Sequence, residues 1–260
     1  MQLIVLAAGM GTRLGALTQD APKCFVRIHE SGETFLERTL RLATSTHCIN
    51  RIILVTGYKE EMIKELIGTS YEGVPVLYVS NPIYDQTNNI YSLALAADYM
   101  KEDDTLLIES DLIYDEDVLK QLLTSPECEA TAVVARWEDW MDGTVVTLAD
   151  PGHINRFIGK SDFDETAKDS YYKTVNIYRL SQAFSTSLYL PLLDAYIIQK
   201  HGRGNYYENV FQEVLQVAPQ SIHPMVLQGD RTLWYEVDNP IDLAKAQELF
   251  LTQSDTNHTH

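Results

Sequence analysis

The sequence predicts an α/β fold: a mostly parallel, Rossmann-like sheet with helices on both faces, and a smaller second part that folds back on it. Two observations point there. Short apolar runs alternate with amphipathic stretches through the first half of the chain, the rhythm of a parallel sheet buried on both sides. The first run, Gln2–Ala7 (QLIVLA), opens directly into a glycine loop, and open sheets of this kind hold ligands at the carboxyl ends of their strands. With 260 residues, 45% of them hydrophobic and 22% charged, the chain is long and apolar enough for one domain with a sizeable core.

Each element follows from its pattern. Arg51–Thr56 (RIILVT), Val74–Val79, Asp104–Ile108 and Ala130–Ala135 read as further strands; Phe35–Thr44, Lys59–Ile67, Ile90–Met100 and Asp115–Leu123 read as the intervening helices. The rhythm changes after Trp137. Gly143–Leu148 and Lys173–Tyr178 look like strands, Leu188–Lys200 and Asn209–Val217 like helices. The expected organisation is a single domain over 1–251, with a first part at 1–136, a second at 137–251, and a disordered tail or linker at 252–260.

The net charge of -17 argues against a polynucleotide partner, which needs a basic surface. It favours, weakly, a cationic group on a small substrate. Cys24, Cys48 and Cys128 are dispersed, with no CxxC pair, as expected of reduced thiols in the cytoplasm without a zinc site. The apolar start lacks a basic flank and is too short for a leader or membrane span, so no membrane partner is expected.

The loop Leu6-Ala7-Ala8-Gly9-Met10-Gly11-Thr12-Arg13-Leu14 lets backbone approach phosphates, which its N–H groups can bind. Arg13 adds a bidentate phosphate donor. A P-loop is excluded because no Lys stands in the required place, and Gly9, Gly11 and Gly15 give GxGxxxG rather than GxGxxG. A plain strand-to-helix turn remains the simpler alternative for the glycines alone. Thr18 and Pro22-Lys23 complete a longer motif, LAAGMGTRLGALTQDAPK. This motif resembles the sugar-phosphate and choline-phosphate nucleotidyltransferases, of the nucleotide-diphospho-sugar transferase fold type. The resemblance implies that 1–136 binds a nucleoside triphosphate, that 137–251 binds an acceptor, and that Arg13 and Lys23 meet phosphates as catalytic groups.

The stretch 81–93, NPIYDQTNNIYSL, looks like the cytidylyltransferase branch, which handles phosphocholine and 2-aminoethylphosphonate. It implies CTP as donor and places Tyr84, Asn88 and Ser92 with Leu6, Ala7, Ala8, Gly9, Gly11 and Thr12 in the nucleotide pocket. Capping of a helix by Asn88 or Asn89 is the simpler alternative. The run Leu106–Ile108 ends in Glu109 and Asp111, and a late strand ends in Asp238 just before Pro240. By resemblance, Asp111 and Asp238 share Mg²⁺, with Glu109 a neighbour on the nucleotide side; two carboxylates plus phosphate oxygens suit that ion. Asp238 or Asn239 acting only as a helix cap is the alternative.

For the acceptor, Lys160, Lys173 and Asn176 are candidates for a phosphonate, and KTVNIY (173–178) looks like the acceptor strand of the phosphonate-handling members. Asp139, Tyr207 and Glu208, with Trp137, Trp140 and Tyr206, are candidates for an aromatic and acidic cage around an amine. Ordinary core aromatics and surface lysines are the competing reading. The partners expected are thus CTP and a small amino-phosphonate or amino-phosphate, for a chain fused to or acting beside another enzyme of the same pathway. Two rival functions stay open: a sugar-1-phosphate nucleotidyltransferase using UTP or dTTP, and an inactive nucleotide-sensing domain, which the joint presence of Arg13, Lys23, Asp111 and Asp238 opposes.

Overall fold

A computed structural model of the protein describes residues 1–29, 32–125, 128–198, 202–228 and 233–256, with side chains described to Phe250. The elements in order are β1 (Gln2–Ala7), α1 (Phe35–Thr44), β2 (Arg51–Thr56), α2 (Glu60–Ile67), β3 (Ser70–Tyr71), β4 (Val74–Ser80), α3 (Asn89–Leu95) and α4 (Ala97–Met100). Then come β5 (Thr105–Glu109), β6 (Leu112–Tyr114), α5 (Glu116–Thr124), β7 (Ala130–Arg136), β8 (Val145–Asp150), β9 (His153–Ile158) and β10 (Tyr172–Leu180). The chain closes with α6 (Gln182–Phe184), α7 (Leu190–Ile198), α8 (Glu208–Val217), β11 (Ile222–Val226), β12 (Trp234–Glu236) and α9 (Pro240–Thr256). Among the described residues no helix is long and apolar enough to cross a membrane.

A 10-stranded sheet runs β11-β7-β10-β5-β1-β2-β4-β3, with β8 added beside β10 and β9 beside β8. β1 pairs in parallel with both β2 and β5. Its residues alternate between two cores. Leu3, Val5 and Ala7 join Leu36 and Leu40 of α1, Ile63 of α2 and Leu119 of α5. Ile4 and Leu6 join Ile90 and Leu93 of α3 and Phe211 of α8 on the other face. Each such Leu or Ile contributes roughly 1.5–3 kcal/mol by leaving water. Helices on both faces are thus a direct consequence of an apolar run with no polar side.

The first half matches the expected rhythm closely. The helix expected over 90–100 instead breaks at Ala96 into α3 and α4. The helix expected over 188–200 is entered earlier, through α6 and a wide turn at Ser185–Tyr189; Gln199 and Lys200 lie outside the described residues. The expected tail at 252–260 is entered by α9, which runs to Thr256, and 257–260 lie outside the described residues. The sheet is parallel except where β10 runs antiparallel between β5 and β7, and in the hairpins made by β8, β9 and β3.

Two irregularities shape the ligand side. The β10–β7 register shifts between Thr174 and Tyr178, and Asn176 within it has φ 60°. Asn tolerates this left-handed backbone better than most residues, and such bulges re-aim side chains. The second is a separate two-stranded sheet of β12 and β6, in which Glu236 pairs with Leu112 and Val237 N–H donates to Asp111 O at 3.0 Å. This small sheet carries the end of the chain to the end of β5.

Gly57 follows β2 at a close approach: a Cβ there would lie 2.8 Å from Tyr84 Cβ and 2.9 Å from Ala8 O. The expected outcome of Gly57→Ala is therefore a stability loss of about 1–3 kcal/mol from overpacking. Urea denaturation checks it; an unchanged midpoint would contradict the contact.

Candidate active site

The carboxyl ends of β1 and β5 open into a cavity of ≈ 540 Å³. The loop after β1 forms one wall. Gly11 has φ 64° and lies against the Lys23 side chain, where a Cβ would stand 2.7 Å from Lys23 Cβ. Thr18 Oγ1 donates to Gly11 O at 2.8 Å and closes the loop on itself, which explains why a threonine stands at that point of the motif. Leu6, Ala8, Gly9, Gly11, Thr12 and Arg13 reach the cavity. Ala7 lies buried in the strand and does not.

Lys23 crosses the cavity mouth. Its Nζ donates to Asp111 Oδ2 at 2.7 Å and to Asp238 Oδ1 at 2.6 Å. Arg13 Nη2, on an exposed side chain, stands 2.7 Å from the same Asp238 oxygen. Burial works against the Lys23 charge, but the Asp111 and Asp238 carboxylates outweigh it and raise the pKa above its ordinary value. Lys23 is a fixed cation at any physiological pH.

Asp238 is spared the role of helix cap. Asn239 Oδ1 accepts from Ile241 N at 2.8 Å and Asp242 N at 3.1 Å. Asp242 Oδ2 in turn accepts from the N–H groups of Asp238 and Asn239. The start of α9 is satisfied without the Asp238 side chain, which faces the cavity.

Asp111, Glu236 and Asp238 each present a carboxylate oxygen within 4.8 Å of the others. An all-oxygen set of this kind suits a hard divalent cation. Asp111 Oδ1 is buried with no hydrogen-bond partner among the described residues, so one ligand oxygen is left to such an ion. The group fits. Glu236 was absent from the sequence reading. Its signal was there: in an extended segment residues two apart share a face, which puts Glu236 beside Asp238.

The cavity floor is unusually charged. Glu109, Glu208 and Glu236 converge there with Lys173. Lys173 Nζ lies 3.1 Å from Glu236 Oε2 and donates to Thr174 O at 2.7 Å. Asn176 Nδ2 donates to Glu236 Oε1 at 3.3 Å. Lys173 is only 1% exposed. The phosphonate candidate Lys173 thus lines the cavity as a buried partner of Glu236, and the competing reading of a surface lysine does not hold. Burial, then the Asp111 charge, drives the Glu109 pKa well above the carboxylate range. Burial likewise pushes Glu208 up to about 7, against the opposing pull of Lys173. Glu208 Oε2 is buried with no hydrogen-bond partner among the described residues.

The opposite wall is the start of α3. Fully buried Asn81 donates to Ser92 Oγ and Thr87 Oγ1, both at 3.1 Å. Asn88 Oδ1 accepts from Asn89 N at 2.8 Å, so Asn88 is the helix cap. Tyr84, Asn88 and Ser92 nevertheless line the cavity, so the cap and a cavity-facing position coexist in this stretch.

The expected amine cage is not assembled. Asp139 is exposed, pairs with Lys168 at 2.6 Å and is not part of the cavity lining. The Tyr207 ring is buried against Tyr178 and Phe211, while its neighbour Tyr206 lines the cavity. Trp137 packs on Phe163, and Trp140 stacks on Tyr235 with centroids 4.1 Å apart. Trp137, Trp140 and Tyr207 have ring partners in their own surroundings. Asp142, which the sequence reading passed over, does line the cavity, and Lys160 Nζ donates to its Oδ2 at 2.7 Å. Nothing in the spacing separated Asp142 from Asp139; the turn between them decides which one faces inward.

Comparison with known proteins gives a consistent result. The chain is 31% identical over 254 residues to a CMP-5'-(3-aminopropyl)phosphonate synthase of Streptomyces rubellomurinus, a match covering 96% of this chain but only 39% of that protein. It is 30% identical over 229 residues to a 2-aminoethylphosphonate cytidylyltransferase of Lancefieldella rimae, covering 86% of this chain and 85% of that one. In fold it superposes on a CTP:phosphocholine cytidylyltransferase of Streptococcus pneumoniae with TM-score 0.76 at 20% identity, over 96% of this chain and 98% of that one. The model of the MobA-like NTP transferase domain matches residues 3–248. The cavity between the glycine loop and the strand-end carboxylates is thus that of a nucleotidyltransferase, and the chain belongs to the MobA-like NTP transferase family.

Proposed function

We propose that the chain is a Mg²⁺-dependent cytidylyltransferase that moves CMP from CTP to 2-aminoethylphosphonate, or to phosphocholine, and releases pyrophosphate. The observation that carries this reading is the convergence on one cavity of a glycine loop, the cations Arg13 and Lys23, and the carboxylates Asp111, Glu236 and Asp238. The two relatives named for aminoalkylphosphonate chemistry support the choice of acceptor.

The reaction needs little covalent help from the protein. The acceptor oxygen is already anionic. It attacks the α-phosphorus in line, a P–O bond forms, and the bond to the β-phosphate oxygen breaks as pyrophosphate leaves. Catalysis is then positioning and charge neutralisation. The N–H groups of the Gly9–Thr12 loop meet the triphosphate. Arg13 and Lys23 offset charge on the transferring and leaving groups. Asp111, Glu236 and Asp238 would hold Mg²⁺, which supplies further neutralisation of phosphate oxygens.

Ser92, with Asn88, faces the cytosine edge in this reading. The acceptor lies between the second part of the chain and the floor. Its phosphonate meets Lys160; its ammonium meets Glu208 or Asp142. A primary ammonium donates hydrogen bonds to carboxylates, whereas a trimethylammonium relies on aromatic faces. Glu208 keeps an oxygen without a described hydrogen-bond partner, which a primary ammonium can satisfy, and this favours 2-aminoethylphosphonate.

Asp111→Asn and Asp238→Asn are expected to lose turnover on the order of 10²-fold or more while far-UV circular dichroism stays native. Near-normal kcat at saturating Mg²⁺ in either variant would remove that residue from the metal site. CTP is expected to exceed UTP and dTTP in kcat/KM by about tenfold or more, read by pyrophosphate release. Equal values for UTP would promote a sugar-1-phosphate acceptor instead. In direct competition with CTP as donor, 2-aminoethylphosphonate should outrun phosphocholine, and Glu208→Gln should raise the acceptor KM about tenfold, one lost charged contact. A preference for phosphocholine, or an unmoved KM, would overturn that assignment.

A further inference from the structure

The residue beside the helix cap of α3 does something the mechanism above leaves unused. Asn89 lines the cavity wall. Its Nδ2 donates to Glu109 Oε1 at 3.1 Å, and its Oδ1 accepts from the Tyr207 backbone N at 3.1 Å. One short side chain therefore touches three segments. It stands at the start of α3, which carries Ser92 on the nucleotide side. It reaches the end of β5, two residues before Asp111. It also reaches the residue that precedes α8, whose first residue is Glu208.

The chemistry on its two sides specifies an amide. A backbone N–H on one side requires an acceptor, and Glu109 Oε1 on the other takes the amide N–H. Asp has no N–H to give Glu109, and Ser or Thr is too short to bridge both. The amide orientation is fixed by the same two neighbours, since the flipped form would face oxygen with oxygen and nitrogen with nitrogen. A second tie runs in parallel: Asn88 N donates to Arg203 O at 2.8 Å. It joins the same two segments but does not reach β5.

We propose that Asn89 is a positioning residue that holds the nucleotide wall, the metal-bearing strand end and the acceptor floor in register. It acts through Glu109 and through the start of α8, and touches neither substrate. The inference rests on the proposed cytidylyltransferase reading only for which substrate each wall receives. In-line transfer is sensitive to such register, because a displacement of about 1 Å between reacting groups can lower the rate about 10²-fold.

The test compares two variants with wild type. Asn89→Asp keeps the acceptor toward Tyr207 and removes the donor toward Glu109. Asn89→Leu removes both at similar volume. Four quantities are read: the Kd of CTP without acceptor, kcat and KM with 2-aminoethylphosphonate and with phosphocholine, and hydrogen exchange at the Tyr207 amide. The expected result is a kcat lower by about tenfold in Asn89→Asp and about 10²-fold in Asn89→Leu, a raised acceptor KM, and a CTP Kd close to wild type. Tyr207 exchange should quicken in Asn89→Leu alone. Wild-type kcat in Asn89→Asp would overturn the proposal. So would a loss of CTP affinity matching the loss of kcat, which would make Asn89 a direct nucleotide contact. If wild-type protein transferred CMP to neither acceptor, the functional reading would fail on its own; Tyr207 exchange would still decide whether Asn89 bridges the walls.

Discussion

The site depends on one ammonium group. Lys23 joins Asp111 and Asp238, which lie 88 and 215 residues further along the sequence. Two strand-end carboxylates held close together repel, and burial makes the repulsion worse. A lysine between them, held at the foot of the glycine loop by packing against Gly11, balances that charge and fixes the loop to the strand ends in one interaction. The glycine loop and the carboxylates that suit a cation are thereby a single unit.

The same balance is only partly struck one layer deeper. Glu109, Glu208 and Glu236 share the floor with Lys173, and burial raises the pKa of each of the three. Buried charge is weak support for stability unless it is fully paired. Here Glu208 keeps an oxygen without a described partner, a residual demand for a positive or hydrogen-donating group. Structure that is costly to the fold and turned toward a cavity is where function is expected to lie.

How much of this was legible in the sequence depended on distance along the chain. The loop from Leu6 to Lys23 reads from local spacing, because strand, glycines and lysine act within one turn of backbone. The alternating cores read from apolar runs. What escaped were features set by pairing between remote segments. β6 is too short a run to signal itself and is a strand only because β12 gives it a partner; β12 reads as a short late strand, but its pairing with β6 does not. The bulge around Asn176 comes from β10 meeting β7 out of register. The exchange of Asp139 for Asp142, and of Tyr207 for Tyr206, likewise turned on which way a short connection points. Asn88 and Asn89 were visible as a cap, but the carboxylate and the N–H on either side of Asn89 come from strands and helices far away in sequence.

The two-stranded β6–β12 sheet also bears on how the molecule is made. Chains emerge from the ribosome amino-terminus first, at about 5–20 residues per second. The parallel strands β1, β2, β4 and β5, with the glycine loop, can pair before the rest arrives. β6 cannot, since its partner lies beyond residue 233. A nascent chain would thus carry a formed glycine loop and an unclosed strand edge at the same time, and the later segment beyond residue 233 both covers that edge and delivers Glu236 and Asp238. Closure of the fold and completion of the cation site are one late event, so a chain that ends early is left with an exposed edge and an acidic site that lacks most of its ligands.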